Sequence, residues 1–531
     1  MTPNTRFSLS RVTFPKELTC SMRYSLLSFF LGALLTLAFS PFDHWLLAFV
    51  SLSGLSWLWL NPHEHHPIRY GFLFGLGNFS TGVHWVYISM YAYGGAPLFF
   101  AVGANILLIL YLSLFPLLIG LLLHYLSRPA TVRRALLIPL FWITGEIIRS
   151  YLFSGFPWLS VGYTQLYGLF KGIIPLAGMF AAGFILMLIC SLLAFSYYRS
   201  GFAAIFAASL IGVMSFSTQF LSFTTPIGNP ISVALIQGNV AQLTKFEPEQ
   251  MLRDMQDYIQ LIDERREQVV ILPETAFAFM EELIRDDYLN ALDKQYREKN
   301  QAIILGMPTG NYEKGEYYNS VITLGSAHGR YHKKHLLPFG EYLPMRRLFS
   351  FFRHFVTIPM GDFSRGESVQ PLLSTNGVSA GVFICFEGAF GRVVQPYGYA
   401  QYLINVSNDG WFQDSIAADQ HLQLTQVRAL ELGREIARAT NNGHTVFIRN
   451  DGSIAERLPR FQRAVLSYTI QPRTGQTPYA KYGEKPLIYG LLLYAMMCAL
   501  IFLIEKEQVK SHARNLSTRA NRSGNPATMG K

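Results

Sequence analysis

Residues 382–388 read VFICFEG, four apolar residues ending on a thiol, with Glu387 two positions beyond it. A cysteine closing an apolar strand is ordinarily a small packing hydrophobe, so the surroundings decide whether Cys385 is structural or reactive. Six similar runs lie around it: ISVALIQ (231–237), VVILPE (269–274), AIILG (302–306), SVITL (320–324), YLINVSN (402–408) and TVFIR (445–449). Helix-like stretches fall between some of them, at 247–267, 281–299 and 415–439, the last stopped by NNG at 441–443. NDG at 450–452 reads as a hairpin turn. Short, fully apolar strands alternating with helices imply layered α/β packing around a mostly buried sheet.

Outside this region the chain changes character. Only 15% of its 531 residues are charged, against about 25% in a typical soluble domain, and the shortage is concentrated between Tyr24 and Leu221. Apolar runs at 24–40, 44–60, 70–90, 98–125, 134–153, 172–198, 202–221 and 487–504 are each read as a span of the bilayer. The first is read as retained rather than cleaved, because Pro41 follows Ser40 at the AFS site. The expected order is a cytoplasmic segment 1–23, a bundle of about seven helices over 24–221, a globular domain over 230–482, a final helix 487–504 and a basic tail 505–531.

Lys and Arg counting over short loops orients the chain. Arg6, Arg11, Lys16, Arg23, Arg69, Arg128, Arg133, Arg134, Arg199 and six basic residues after position 504 fall on one side. The opposite links, 41–43 and 91–97, carry none, and 154–168 carries none. Both termini are therefore expected in the cytoplasm, with the globular domain on the periplasmic face of a bacterial inner membrane. The net charge of +10 is accounted for by anchors facing anionic lipid, and no basic patch with interleaved aromatics suggests nucleic acid. Four cysteines, two of them within spans, make no disulfide framework, which leaves Cys385 as an unpaired extracytoplasmic thiol. No Gly-rich phosphate loop or Zn-spaced Cys/His set is present, so neither cofactor nor metal is expected and side chains must carry any chemistry.

Three polar residues follow apolar strands: Glu274 in VVILPETA, Lys333 in YHKKHLLPFGEYLP and Cys385 in VFICFEG. Ligands of α/β sheets sit beyond the carboxyl ends of strands, so these residues are candidates for one crevice. A carboxylate can take a thiol proton, and an ammonium favours thiolate and stabilises an oxyanion. Alone, each has an ordinary structural reading. On the residues by themselves, a membrane-anchored amidase and a non-enzymatic scaffold or transporter also stay open.

Together these segments resemble the nitrilase superfamily, and most closely its membrane-bound apolipoprotein N-acyltransferase branch. The motifs that carry the resemblance are LAFSPFDHW (37–45), TGVHWVY (81–87), SGFPWL (154–159), QGNVAQLTKF (237–246), PETA (273–276), KKHLLPFGEYLP (333–344), ICFE (384–387), SNDGWF (407–412), RALELGREIARATNNG (428–443) and TGQTPYAKYG (474–483). The resemblance implies an α-β-β-α sandwich inserted in a polytopic helical membrane protein. It implies Glu274 as general base, Lys333 as oxyanion stabiliser and Cys385 as nucleophile. Glu341 and Glu387 would be supporting carboxylates, and the N–H of Phe386 would complete an oxyanion hole. Phe386 and Phe246 stand where the family often has Tyr and Trp.

The implied reaction moves an acyl chain from a phospholipid donor, through a Cys385 thioester, to the amine of a diacylglyceryl-lipoprotein acceptor. It is expected of a monomer among membrane lipids. MRRLFSFFRHFV (345–356) places Phe351 and Phe352 on one apolar helical face, which reads either as a core-facing helix or as a lid arm dipping into lipid, and the lid arm is the expectation. Trp158, Trp411 and Tyr479 are expected at the same entrance. Glu146 and Arg149, one turn apart in a span, are expected to pair with each other.

Overall fold

The computed structural model describes residues 16–63, 66–199, 201–311, 313–344 and 362–523. Among the described residues, seven helices of at least 15 residues precede the globular domain: Lys16–Thr36, Leu46–Leu60, Pro67–Gly82, Leu98–Leu126, Val132–Tyr151, Met179–Tyr198 and Phe202–Ser217, and Lys485–Ser523 follows it. Five helical segments among the described residues are long and apolar enough to cross a membrane: Leu98–Leu126, Val132–Ser154, Met179–Tyr198, Phe202–Phe220 and Lys485–Ile504. Leu46–Leu60 and Pro67–Gly82, at 15 and 16 residues, are shorter. Two expected spans are interrupted. The run 172–198 breaks at Gly178, whose φ of +84° no side-chain-bearing residue adopts cheaply. The run 70–90 breaks after Gly82, and its last residues form a separate short turn.

Small residues let the first helices approach closely. A Cβ added at Gly77 would sit 2.0 Å from the carbonyl oxygen of Phe29, and one at Gly71 would sit 2.1 Å from that of Pro116. Within the bundle, Glu146 and Arg149 do pair, at 3.9 Å.

The globular domain is a sandwich of a six-stranded and a seven-stranded sheet. The first has the order 464–470, 231–237, 269–271, 302–311, 316–325, 330–332; the second has 454–457, 446–448, 436–440, 402–407, 378–384, 373–375, 327–328. Alternation along Ile231–Gln237 shows how the layers form. Val233 and Leu235 enter the core between the sheets, while Ala234 and Ile236 face a second core shared with the helices Pro248–Asp263 and Asn290–Glu298. The strands read from the sequence are all present.

The helix expected over 415–439 is shorter and is followed by a strand. It runs Ala417–Leu432, Gly433 turns the chain at φ +63°, and Ile436–Thr440 pairs in parallel with 402–407 and antiparallel with 446–448. Every residue of Ala417–Leu432 except the half-buried Asp419 is buried, because the helix lies between the seven-stranded sheet and the helical bundle. Leu422, Ala429 and Leu432 join the core built on the seven-stranded sheet, whereas Leu424, Val427 and Leu430 join the core of the bundle together with Phe386 and Phe390. Its polar residues bridge the two bodies. Gln423 Nε2 donates to Asp43 at 3.3 Å, and Gln426 Nε2 donates to the Tyr167 hydroxyl at 2.7 Å.

Candidate active site

Cys385 ends the strand Val378–Ile384 near the middle of the seven-stranded sheet and opens a short 3-10 turn. Its φ is +49°, a left-handed conformation that costs a residue with a side chain about 1 kcal/mol or more. Glu387, fully buried, holds it there. One carboxylate oxygen accepts the N–H of Ile384 at 2.7 Å and the Tyr331 hydroxyl at 2.8 Å; the other accepts the N–H groups of Lys334 and His335 at 2.9 and 3.0 Å. Burial pushes the Glu387 carboxyl up, against these donors and the nearby Lys333.

Glu274 and Lys333 come from the other sheet. Glu274 lies three residues beyond Val269–Ile271, and Lys333 directly follows Arg330–His332. Lys333 Nζ is 3.2 Å from Glu274 Oε1 and 3.0 Å from Glu341 Oε1. Asn319 Nδ2 donates to the same two oxygens, at 2.7 and 2.8 Å. Glu341 is fixed in turn by the N–H of Leu337 at 2.8 Å. Burial alone would favour a neutral amine at Lys333, but the Glu274 and Glu341 carboxylates outweigh it and hold the ammonium above the usual lysine range.

Cys385 is within electrostatic reach of both groups. Burial and the Glu274 carboxylate push its thiol up to about 12, against the pull of Lys333. Lys333 does favour thiolate, as its residue type suggests, but the thiol at rest keeps its proton. The arrangement therefore suits a thiol that loses its proton to a base as it attacks, not a stored thiolate.

A second polar network lies under the turn. His421 Nε2 is 3.0 Å from the Cys385 carbonyl oxygen, and its Nδ1 is 2.8 Å from Asp409 Oδ1. Arg438 donates to Asp409 Oδ2 at 3.0 Å and to Thr425 at 3.1 Å, and it also contacts Asn405. Burial opposes an ionised Asp409, but Arg438 and His421 hold its carboxyl well below the usual range. Cys385, Asp409 and His421 have the donor types and proximity of a metal site. Their atoms are already engaged, however, since both imidazole nitrogens have partners and Arg438 neutralises the carboxylate. His421 meets the carbonyl of Cys385 through its ring nitrogen, so it serves the backbone of the turn.

The predicted aromatics separate. Trp158, from the link after Val132–Tyr151, stacks with Phe386 at 6.5 Å and 17°, so the bundle does reach the residue beside Cys385. Gln420 fixes it, accepting from Trp158 Nε1 at 2.7 Å and Trp85 Nε1 at 3.1 Å while donating to the Gly82 carbonyl at 3.1 Å. Trp411 is half-buried and edge-on to Tyr93 at 5.7 Å. Phe246 is 38% exposed. Tyr479 is buried beside Gly391 in a cavity shared with Arg428 and Glu431, so it belongs to the packing of the domain on the bundle. Phe351 and Phe352 lie outside the described residues.

The sequence reading missed Asn319, Asp409, Gln420, His421, Arg438 and the buried Lys245. Asp409 sits in SNDGWF, Lys245 in QGNVAQLTKF and Arg438 in RALELGREIARATNNG, so for these three the signal was a polar residue inside a segment already singled out.

The sandwich with its chemistry at strand exits is a carbon–nitrogen hydrolase domain: residues 232–479 match the Carbon-nitrogen hydrolase family. Residues 31–192 match the Apolipoprotein N-acyltransferase N-terminal domain. The chain is 39% identical over 503 residues to the apolipoprotein N-acyltransferase of Methylococcus capsulatus, covering 92% of this chain and 98% of that one. It is 36% identical to that of Nitrosomonas europaea, covering 88% and 96%, and 34% identical to that of Haemophilus influenzae, covering 90% and 94%. The chain belongs to the apolipoprotein N-acyltransferase family. Among solved structures, an amidase from Nesterenkonia sp. matches at 17% identity and TM-score 0.36, covering 50% of this chain and 98% of that one. The C. elegans NitFhit protein matches at 15% and TM-score 0.36, covering 46% and 61%.

Proposed function

We propose that this protein transfers a fatty acyl chain from a membrane phospholipid to the N-terminal amine of a lipoprotein's diacylglyceryl cysteine, through a thioester on Cys385. The observation that carries this reading is the junction itself: the nucleophile's turn is packed into the core of the helical bundle through Phe386 and Phe390. A thiol so placed meets lipid substrates at the membrane surface.

Glu274 is the general base that takes the thiol proton and delivers it to the leaving glycerol oxygen. Lys333 stabilises the oxyanion, together with the Phe386 N–H. Glu341 and Glu387 hold Lys333 and the Cys385 turn. The thioester then reacts with the acceptor amine, giving ping-pong kinetics. Eight spans, cytoplasmic termini and a globular domain on the periplasmic face of the inner membrane complete the reading, with boundaries near 24–221, 230–482 and 487–504.

The test uses a phospholipid with a labelled acyl chain and a diacylglyceryl-cysteine peptide. Label on the peptide amide supports the transferase. Label recovered only as free fatty acid, at a rate the peptide does not change, identifies a hydrolase instead.

A further inference from the structure

The proposed reaction has a proton to dispose of. In the first half, the Cys385 S–H bond and the ester C–O bond break, the thioester C–S bond forms, and the thiol proton ends on the glycerol oxygen. No net proton is released. In the second half, the acceptor enters as an ammonium ion at neutral pH and leaves as an amide. Of the two protons lost from nitrogen, one restores the Cys385 thiol and the other is surplus. Glu274, as the base, is left holding it. Glu274 is only 6% exposed and must pass it on before the next turnover.

Behind Glu274 lies Lys245, a lysine only 2% exposed. Its Nζ donates to the Glu274 carbonyl oxygen at 3.3 Å, and its charge is felt by the carboxylates of Glu274 and Asp254. These are the acidic groups that face it. Burial pushes this amine down to about 8 despite both carboxylates, so its neutral form is accessible in the working range. Buried lysines with such shifts are suited to proton exchange.

Asp254, on the helix Pro248–Asp263, is 7% exposed. Its Oδ1 accepts from Gln250 at 2.7 Å, while Oδ2 is buried with no hydrogen-bond partner. Desolvation raises this carboxyl, with Asp257 adding to the rise and Arg253 opposing it. Asp254 lines a cavity of about 250 Å³ with Asn239, Asp257, Tyr258 and Arg463. Glu274, Lys245, Asp254 and this cavity thus form a series that starts at the candidate base.

We propose that Lys245 and Asp254 are the proton exit of the aminolysis half-reaction, carrying the surplus proton from Glu274 to the cavity and its solvent. The inference rests on the acyl-transfer reading. A role limited to packing would impair both half-reactions alike, whereas an exit path acts on the second alone.

The experiment follows the full-length protein in phospholipid nanodiscs, with intact-mass detection of the acyl-enzyme and separate timing of its formation and of its discharge by diacylglyceryl-cysteine peptide. Lys245→Met and Asp254→Asn should form the acyl-enzyme within about threefold of the wild-type rate and discharge it at least about tenfold more slowly. The adduct would then accumulate in the steady state. Equal losses in both halves, or discharge at the wild-type rate, would overturn the proposal and indicate that the proton leaves by the substrate entrance. If Lys245→Met does not fold, Asp254→Asn, whose side chain nearly matches in size, decides alone. Absence of any adduct in the wild type would instead count against the acyl-transfer reading.

Discussion

The carboxylate of Glu387 accepts the backbone N–H of Lys334 at 2.9 Å while its other oxygen accepts the N–H of Ile384 at 2.7 Å. One buried side chain thereby ties the turn after Lys333, from one sheet, to the turn of Cys385, from the other. Replacing Glu387 by Gln puts an amide donor opposite backbone donors. Turnover should fall at least about 100-fold and the thermal midpoint should drop by several degrees, measured by transfer assay and thermal unfolding in detergent. An unchanged midpoint would show that the turns are held by something else.

Glu274 and Lys333 act on the Cys385 thiol in opposite directions, so their variants should separate acidity from catalysis. Glu274→Gln removes the negative charge that opposes thiolate. Alkylation of Cys385 by iodoacetamide at about pH 8 should become faster even as transfer is lost. Lys333→Met should slow alkylation and also abolish transfer. If both variants slow alkylation, Glu274 does not oppose the thiolate as inferred.

Asp409 contributes to stability with a defined pH dependence. Its carboxyl is held below the usual range when folded, so its contribution is complete above the unfolded value and is lost as pH falls through the folded one. Asp409→Asn leaves Arg438 buried without its carboxylate partner and should cost about 3 kcal/mol near neutral pH. The gap between wild type and variant should stay level down to about pH 5 and shrink below about pH 4. Denaturation at a series of pH values measures it, and a gap that widened in acid would refute the assignment.

Gln420 satisfies two indole N–H groups and one carbonyl. Gln420→Ala would strand the buried Trp158 N–H, at a cost of about 1–3 kcal/mol, while Trp85 Nε1 and the Gly82 carbonyl keep their own bond at 3.0 Å. It would also free Trp158 from its stack on Phe386. Indole fluorescence and the unfolding midpoint should both change, with transfer reduced more than about tenfold. A variant with normal stability would mean that the Trp158 N–H finds another partner.

Much of the sandwich was legible because its strands are short, apolar and bounded by turn residues, as ISVALIQ and VFIC show. The segment REIARAT (434–440) was not. It continues a run of good helix formers, and only pairing between two other strands makes Ile436–Thr440 extended. Glu274, Lys333 and Cys385 were readable as polar residues at strand exits. Asn319 was hidden because it lies on the long strand Glu316–Gly325, where an isolated amide gives no local signal. His421 and Gln420 were hidden for a related reason. On a helix with both faces buried, polar residues do not mark a solvent side.

The central claim is that Cys385 carries the acyl chain. Its most direct test is peptide mass mapping of the full-length protein after incubation with a single defined phospholipid and no acceptor. The account predicts one added acyl chain on Cys385, labile to hydroxylamine as a thioester is, and missing in Cys385→Ser but present in Cys190→Ser. An adduct on another residue, or transfer to the peptide by the Cys385→Ser protein, would contradict it.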